Sequence, residues 1–464
     1  MSYLKMFVSL HCLKTGWQIM DLFGVIKQKS RNMNRIILIG NGFDLAHGLK
    51  TSYADFIDWY WDKRISDLHS IYSDESIDVL CAMKLLPNTY SQWQSFYWTN
   101  QEVLKNKPGK DIIKQMAGDK THYRISKSTF FSSILHSYQE KGWVDIEKEY
   151  FRLLFPSAGE GSLLYMNKPA ELNKELEYIR YLLIEYLDAI EKNIIDESIV
   201  NQCIKKKMFS PIRIKDISIG SLSSFIDFID KRFNQDEFAV FWSNLLAEYE
   251  VQDNALEQES ILYFVNNYSG QVKYMGIESI AYNEFPNSFT LPDRIMLVNF
   301  NYTTTADAYL PNSDRFVLNH IHGELNKPGS VIFGYGDEID ERYKIMSEKN
   351  DNEYLQNIKS IKYLESPNYR NLLEFMESAP YQVFVIGHSC GNSDRTLLNT
   401  LFEHKNCVSI KPFYYIRKDG TDNYMELVQN ISRNFTDMKL MRDRVVNKTF
   451  CEPYSDARES GSIS

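Results

Sequence analysis

Four short apolar runs interrupt a chain whose other hydrophobic residues recur mostly at helical spacing. They are Ile36-Ile37-Leu38-Ile39, Ile295-Met296-Leu297-Val298, Phe316-Val317-Leu318 and Val383-Phe384-Val385-Ile386. Each has the length of a strand and ends in small or polar residues: Gly40-Asn41-Gly42, Asn299-Phe300-Asn301, Asn319-His320-Ile321-His322-Gly323 and Gly387-His388-Ser389. Apolar strands that run directly into such turns predict an α/β fold of the Rossmann-like type, built on a mostly parallel sheet.

The first run is followed by a helix whose apolar residues, in Ser52 to Tyr60, keep helical spacing. From 67 to 290 the pattern is mostly helical, as in Leu172 to Asn193, Ser223 to Tyr249 and Leu256 to Tyr268, and strands resume at Arg294. The expected organisation is therefore a first α/β part at 33–66, a large helical insertion at 67–290 and a second α/β part at 291–450. Residues 1–32 read as a disordered or mis-annotated leader, because Met33 directly precedes the first strand, and 451–464 read as a flexible tail. Ser330 to Asp337 reads as a further strand, and the charged stretch Glu338 to Glu365 as either a lid over the site or a solvated pair of connecting helices.

Open parallel sheets bind ligands outside the carboxyl ends of their strands, so the residues at the four run ends are the candidate site. Gly40 and Gly42 permit close backbone approach and, with Asn41, are candidates to cradle phosphates. The third glycine, Gly48, comes too late for the G-x-G-x-x-G dinucleotide fingerprint. Strand alternation predicts that His320 and His322 share a face. His47 and His388 fall in turns beside the same region, and Asp394 stands where it would cap the helix that starts at Arg395. Gly387-His388-Ser389-Cys390-Gly391 also approximates the hydrolase elbow G-x-S-x-G, but no Asp…His order follows Ser389 convincingly.

Composition narrows the classes. The chain has 464 residues, 44% of them hydrophobic, and a formal net charge of −9, which offers no general footprint for nucleic acid. Lys205, Lys206, Lys207, Arg213 and Lys215 form a local basic cluster, read more simply as a solvated loop. Six cysteines fall singly, with no pairing that suggests zinc, so no metal is expected and a reducing cytoplasm is the expected location. No apolar run is long enough to cross a bilayer.

The motifs together resemble two families. Nearly the whole chain resembles the AbiH family of bacteriophage abortive-infection proteins, through Gly40-Asn41-Gly42-Phe43-Asp44, Trp143-Val144-Asp145-Ile146-Glu147, Asn301-Tyr302-Thr303, His320-Ile321-His322-Gly323 and Gly387-His388-Ser389 with Asp394. In that pattern Trp143, Ile146 and Tyr150 lie on one helical face and read as core, with Glu147 free to turn a carboxylate toward the cleft. More remotely, the order of motifs is similar to that of sirtuin-like NAD-consuming domains. That likeness implies a sheet of the sirtuin-like NAD-binding type, NAD as substrate, Asn301 and His322 at the catalytic positions, and Gly40, Asn41, Gly42, Asp44, Gly48, Asn299, Gly387, His388, Ser389 and Asp394 around the nucleotide. The chain departs from the sirtuin-like pattern at Asp44, which stands in place of serine, at Lys50, in place of proline, and at Thr303, in place of aspartate. Asp44 then binds a ribose hydroxyl, caps the next helix or signals a different ligand. The resemblances imply an antiviral effector that hydrolyses NAD, answers a phage-derived activator and is a candidate homo-oligomer. A catalytically silent nucleotide-binding sensor and a hydrolase of another nucleotide are the alternatives.

Overall fold

In a computed structural model the four apolar runs become four strands of one five-stranded parallel sheet. The structure describes residues 31–70, 75–86, 107–141, 145–155, 168–192, 200–234, 238–251, 254–268, 286–327 and 329–454. Most of the expected leader, most of the expected tail and Trp143 lie outside these residues. The strands in chain order are β1 (Asn34–Ile39), β2 (Glu75–Ile77), β3 (Cys81–Leu85), β4 (Tyr123–Lys127), β5 (Ile295–Asn299), β6 (Phe316–His320), β7 (Tyr381–Ile386) and β8 (Cys407–Phe413). The large sheet has the order β6-β5-β1-β7-β8, and all its pairs are parallel. Its central strand is thus the first in the chain, paired through Arg35 with Ile295 and through Asn34 with Tyr381. Strand order runs outward in both directions from β1, so a crevice opens at its carboxyl end.

Strand alternation assigns the two faces of the sheet to different cores. Ile37, Ile39, Leu297 and Phe384 meet Phe228, Trp242, Leu245 and Phe289, from the helices Leu222–Phe233 and Phe238–Glu248 and the turn after them. Ile36, Leu38, Val298 and Val385 meet Leu372, Phe375, Leu398 and Ile431, from the helices Asn368–Ser378, Arg395–Glu403 and Tyr424–Arg433. Burial on both faces explains why these strands are apolar throughout.

A third core is separate. It unites the helices Tyr53–Ser70, Ile146–Leu154 and Pro169–Glu191 with Met83 of β3 and with Phe333, Tyr335 and Met346. Ile146 and Tyr150 are buried in it, as their shared helical face predicts. The stretch expected to be a single helical insertion therefore serves two cores, one of its own and one that covers a sheet face. It also contains strands: β2, β3 and β4 form an antiparallel sheet in that order. They escape a sequence reading because they are short and partly polar, without a continuous apolar run.

Ser330 to Asp337 is not a strand but an extended loop with one bridge, Tyr335 to Ile358. Gly334 permits the loop to abut residue 357, since a Cβ there would lie 2.1 Å from the Asn357 carbonyl oxygen. The basic cluster is dispersed: Lys205 pairs with Glu250, the Lys207 ammonium donates to the Pro453 carbonyl, and Arg213 pairs with Asp216 and Glu452. Among the described residues no helix is long and apolar enough to cross a membrane.

Candidate functional site

Glycine lets the turns after β1 and β7 touch. Gly387 has φ +69°, and a Cβ there would come within 2.2 Å of the Phe43 nitrogen. Gly42 N–H donates to the Gly387 carbonyl at 2.8 Å, and Gly40 N–H to the Ile386 carbonyl at 3.3 Å. Both N–H groups are thus spent inside the protein, and these glycines serve the contact between turns more directly than a phosphate. Gly48, with φ +77°, ends the short helix Asn41–Ala46 through a bond to the Leu45 carbonyl.

The loop after β5 is stitched to the same turn. Asn299 is fully buried; its amide nitrogen donates to the Thr303 carbonyl, while its oxygen accepts from Asn301 N–H. The Asn301 side chain then donates to the Gly40 carbonyl at 3.1 Å. Asp44 caps nothing: it points inward and accepts from the Thr303 hydroxyl at 2.6 Å. Burial pushes its carboxyl up to about 6 against the bond from the Thr303 hydroxyl. Asp44 and Thr303 are therefore one bonded pair of an acid and a hydroxyl.

His320 and His322 do not share a face. β6 ends at His320 and the chain turns at Gly323, φ +84°, so the alternation stops between the two histidines. His320 lies 3.1 Å from Asp307 and beside the Asn299 amide. His322 is buried elsewhere, with Nε2 3.2 Å from the Tyr363 hydroxyl and 3.3 Å from Asp394 Oδ1, and its ring edge-on to Phe300. Burial lowers its proton affinity, Lys359 adds to that, and Asp394 opposes both.

Asp394 occupies the position before the helix Arg395–Glu403 but makes no side-chain capping bond. Its carboxylate turns inward to Lys359 Nζ at 2.8 Å and to His322, with His388 Nε2 at 3.7 Å. Burial alone would raise its proton affinity; Lys359, then His322, hold it well below the usual carboxylate range. His388 Nδ1 accepts from Cys390 N–H, which leaves the ring proton on Nε2, facing Asp394. In the elbow-like segment Ser389 is exposed and its carbonyl accepts from Asn430, while the left-handed residues are Gly387 and the buried Cys390, φ +52°, not the serine. A serine nucleophile there lacks the geometry of the elbow.

Sequence reasoning missed two members, Lys359 and Tyr363. Lys359 is 1% exposed, with Nζ 2.9 Å from Glu147 Oε2 and 2.8 Å from Asp394 Oδ1. Burial works against its charge, but the two carboxylates overcome this and raise its proton affinity. Glu147 turns inward, as its place behind Ile146 allows, and its other oxygen accepts from Gly334 N–H at 3.0 Å. Burial pushes its carboxyl upward while Lys359 opposes the rise. The stretch 338–365 is thus neither a detached lid nor a solvated connector; it plants Lys359 and Tyr363 against the site. Ile358 and Tyr363, two apolar residues flanking Lys359 in a charged stretch, are the one signal that could have drawn attention to it.

Fold and site together define an α/β protein with a buried histidine–carboxylate–lysine cluster beyond the carboxyl edge of a parallel sheet. The family model described as Bacteriophage abortive infection AbiH matches residues 36–415, and the chain belongs to that family. The match spans every residue of the site, and the family points to a role in phage abortive infection. No curated protein and no solved structure matches the chain.

Proposed function

We propose that this protein is an abortive-infection effector that hydrolyses NAD at the bond between nicotinamide and ribose. The observation that carries the reading is the His322–Asp394 pair, Nε2 to Oδ1 at 3.3 Å, buried where the loops after β1, β5, β6 and β7 converge. An ionised Asp394 accepts the proton on Nε2, so Nδ1 carries the lone pair and acts as base. Cleavage needs little else, because nicotinamide leaves with the electron pair of the broken bond and becomes neutral. Water attacks the ribose carbon, His322 takes its proton, and ADP-ribose and nicotinamide are the products. Asn301, whose amide both donates and accepts, holds the ribose hydroxyls and the water. The bonded pair of Asp44 and Thr303 supports the reading, since it keeps an acid and a hydroxyl beside Asn301.

Activity is suppressed at rest and released by a phage-derived activator, because a constitutive NADase would kill its own cell. The 4% exposure of His322 agrees with a resting state closed to substrate. The test is chromatography of NAD incubated with purified wild type, His322→Ala and Asn301→Ala, with and without lysate of phage-infected cells. Appearance of ADP-ribose and nicotinamide in wild type alone supports the reading. A catalytically silent nucleotide-binding sensor is the second reading, favoured by the Asn301 amide, which donates to the Gly40 carbonyl and not into an open site. NAD that binds without turnover, infected lysate included, would replace the first reading by the second.

A further inference from the structure

The charges behind His322 come from three distant parts of the chain. Glu147 opens the helix Ile146–Leu154 of the third core, Lys359 opens the short helix Lys359–Lys362, and Asp394 precedes Arg395–Glu403. A rigid frame holds them. Lys359 N–H donates to the Tyr335 carbonyl, Tyr335 N–H to the Asn357 carbonyl, and Gly336 N–H to the Ser393 carbonyl. Asn357, with no exposed surface, reaches Asn173 Oδ1, which also accepts from the Tyr150 hydroxyl at 2.6 Å. Glu147 therefore cannot shift without disturbing the helices of the third core.

We propose that Glu147 and Lys359 are positioning residues: Glu147 fixes the Lys359 ammonium, Lys359 fixes the Asp394 carboxylate, and through Asp394 the third core governs the orientation and proton affinity of His322. The charged and titratable groups facing His322 are Asp394, Lys359, His388, Tyr363 and Tyr302. Lys359 is the cation among them that never loses its charge in the working pH range. Removing it takes away a repulsive charge and leaves Asp394 uncompensated, and both changes strengthen proton binding at His322. Removing the Glu147 charge leaves Lys359 to Asp394 alone and acts more weakly in the opposite direction. The turnover part of this inference rests on the proposed NAD hydrolysis; the ionisation part does not.

The experiment is NMR titration of the full chain labelled at histidine, with the His322 signal assigned by His322→Asn, in wild type, Lys359→Met, Lys359→Arg and Glu147→Gln. Lys359→Met is expected to raise His322 proton affinity about tenfold, and Lys359→Arg to restore it. Glu147→Gln should lower it by a smaller factor. In NAD hydrolysis kcat should fall in Lys359→Met and Glu147→Gln with KM unchanged, and the acid limb of kcat/KM should follow the NMR midpoint of the free protein. A His322 midpoint unchanged in these variants overturns the proposal. Should Lys359→Met fail to fold, the near-isosteric Glu147→Gln decides alone. Should wild type leave NAD intact, the hydrolysis reading falls while the titration still judges the relay.

Discussion

Two buried cations hold this protein together in opposite ways. Arg35, near the start of β1, is wholly buried and donates to the carbonyls of Met208 and Ser210 and to Gln382 Oε1, with its guanidinium 3.9 Å from the Phe384 ring centroid. Its partners cannot titrate. Burial lowers its proton affinity to about 9, which leaves it charged at neutral pH. Lys359, beyond the other end of the strands, has only carboxylates as side-chain partners, one of them shared with His322. A cation satisfied by neutral carbonyls contributes to the fold without a change of charge around neutral pH. A cation shared between acids ties each proton affinity to its neighbours. The strand starts hold a cation among neutral partners, the strand ends one among titratable partners.

The largest expected effect separates the two ends by function. On the proposed reading, His322→Ala lowers NAD turnover about 10²- to 10⁴-fold with the urea midpoint nearly unchanged. Turnover at the wild-type rate would remove His322 from the chemistry. Arg35→Leu should do the reverse, costing about 3 kcal/mol of stability through acceptors left buried and unpaired, while turnover per folded molecule survives. A midpoint equal to wild type would show that the carbonyls find other donors.

Asp44 sharpens the contrast through pH. Its folded proton affinity, raised to about 6, exceeds the unfolded one. The resulting stabilisation is complete below pH ~4 and is lost as pH rises to ~6, up to about 3 kcal/mol in all. Asp44→Asn should flatten that slope and raise stability at pH 7, measured by denaturation across pH; a slope kept in the variant would assign it elsewhere. The smallest effect is expected at the surface, where Lys205→Ala removes the pair with Glu250 for less than about 0.5 kcal/mol. A larger loss in melting would give the basic cluster a structural role.

What could be read in the sequence follows the same division. β1, β5, β6 and β7 were legible because strands covered on both faces are apolar throughout. β8 was not, because Ser409, Lys411 and Pro412 break its run; Lys411 is buried against Asp216, 195 positions earlier in the chain. Within the site, Asn301, His322 and Asp394 stand at strand ends or helix starts, where position itself carries meaning. Lys359 stands in a charged stretch and looks like any solvated lysine. Nothing local tells that Glu147 lies against it, 212 positions earlier. The alternation from His320 to His322 misled because the strand stops one turn too soon.

The central place of β1 also dictates an order of assembly. Its neighbours β5 and β7 leave the ribosome long after it, the second about 20–70 s later at ordinary synthesis rates. Until then the first strand has no edge to join, and the glycine turn behind it has nothing to lean on. The third core likewise waits for Phe333, Tyr335 and Met346, and the sheet closes only after β7 and β8 have been made. A chain that stops before β7 lacks His388 and Asp394, so every molecule that carries the cluster has first been made past Asp394.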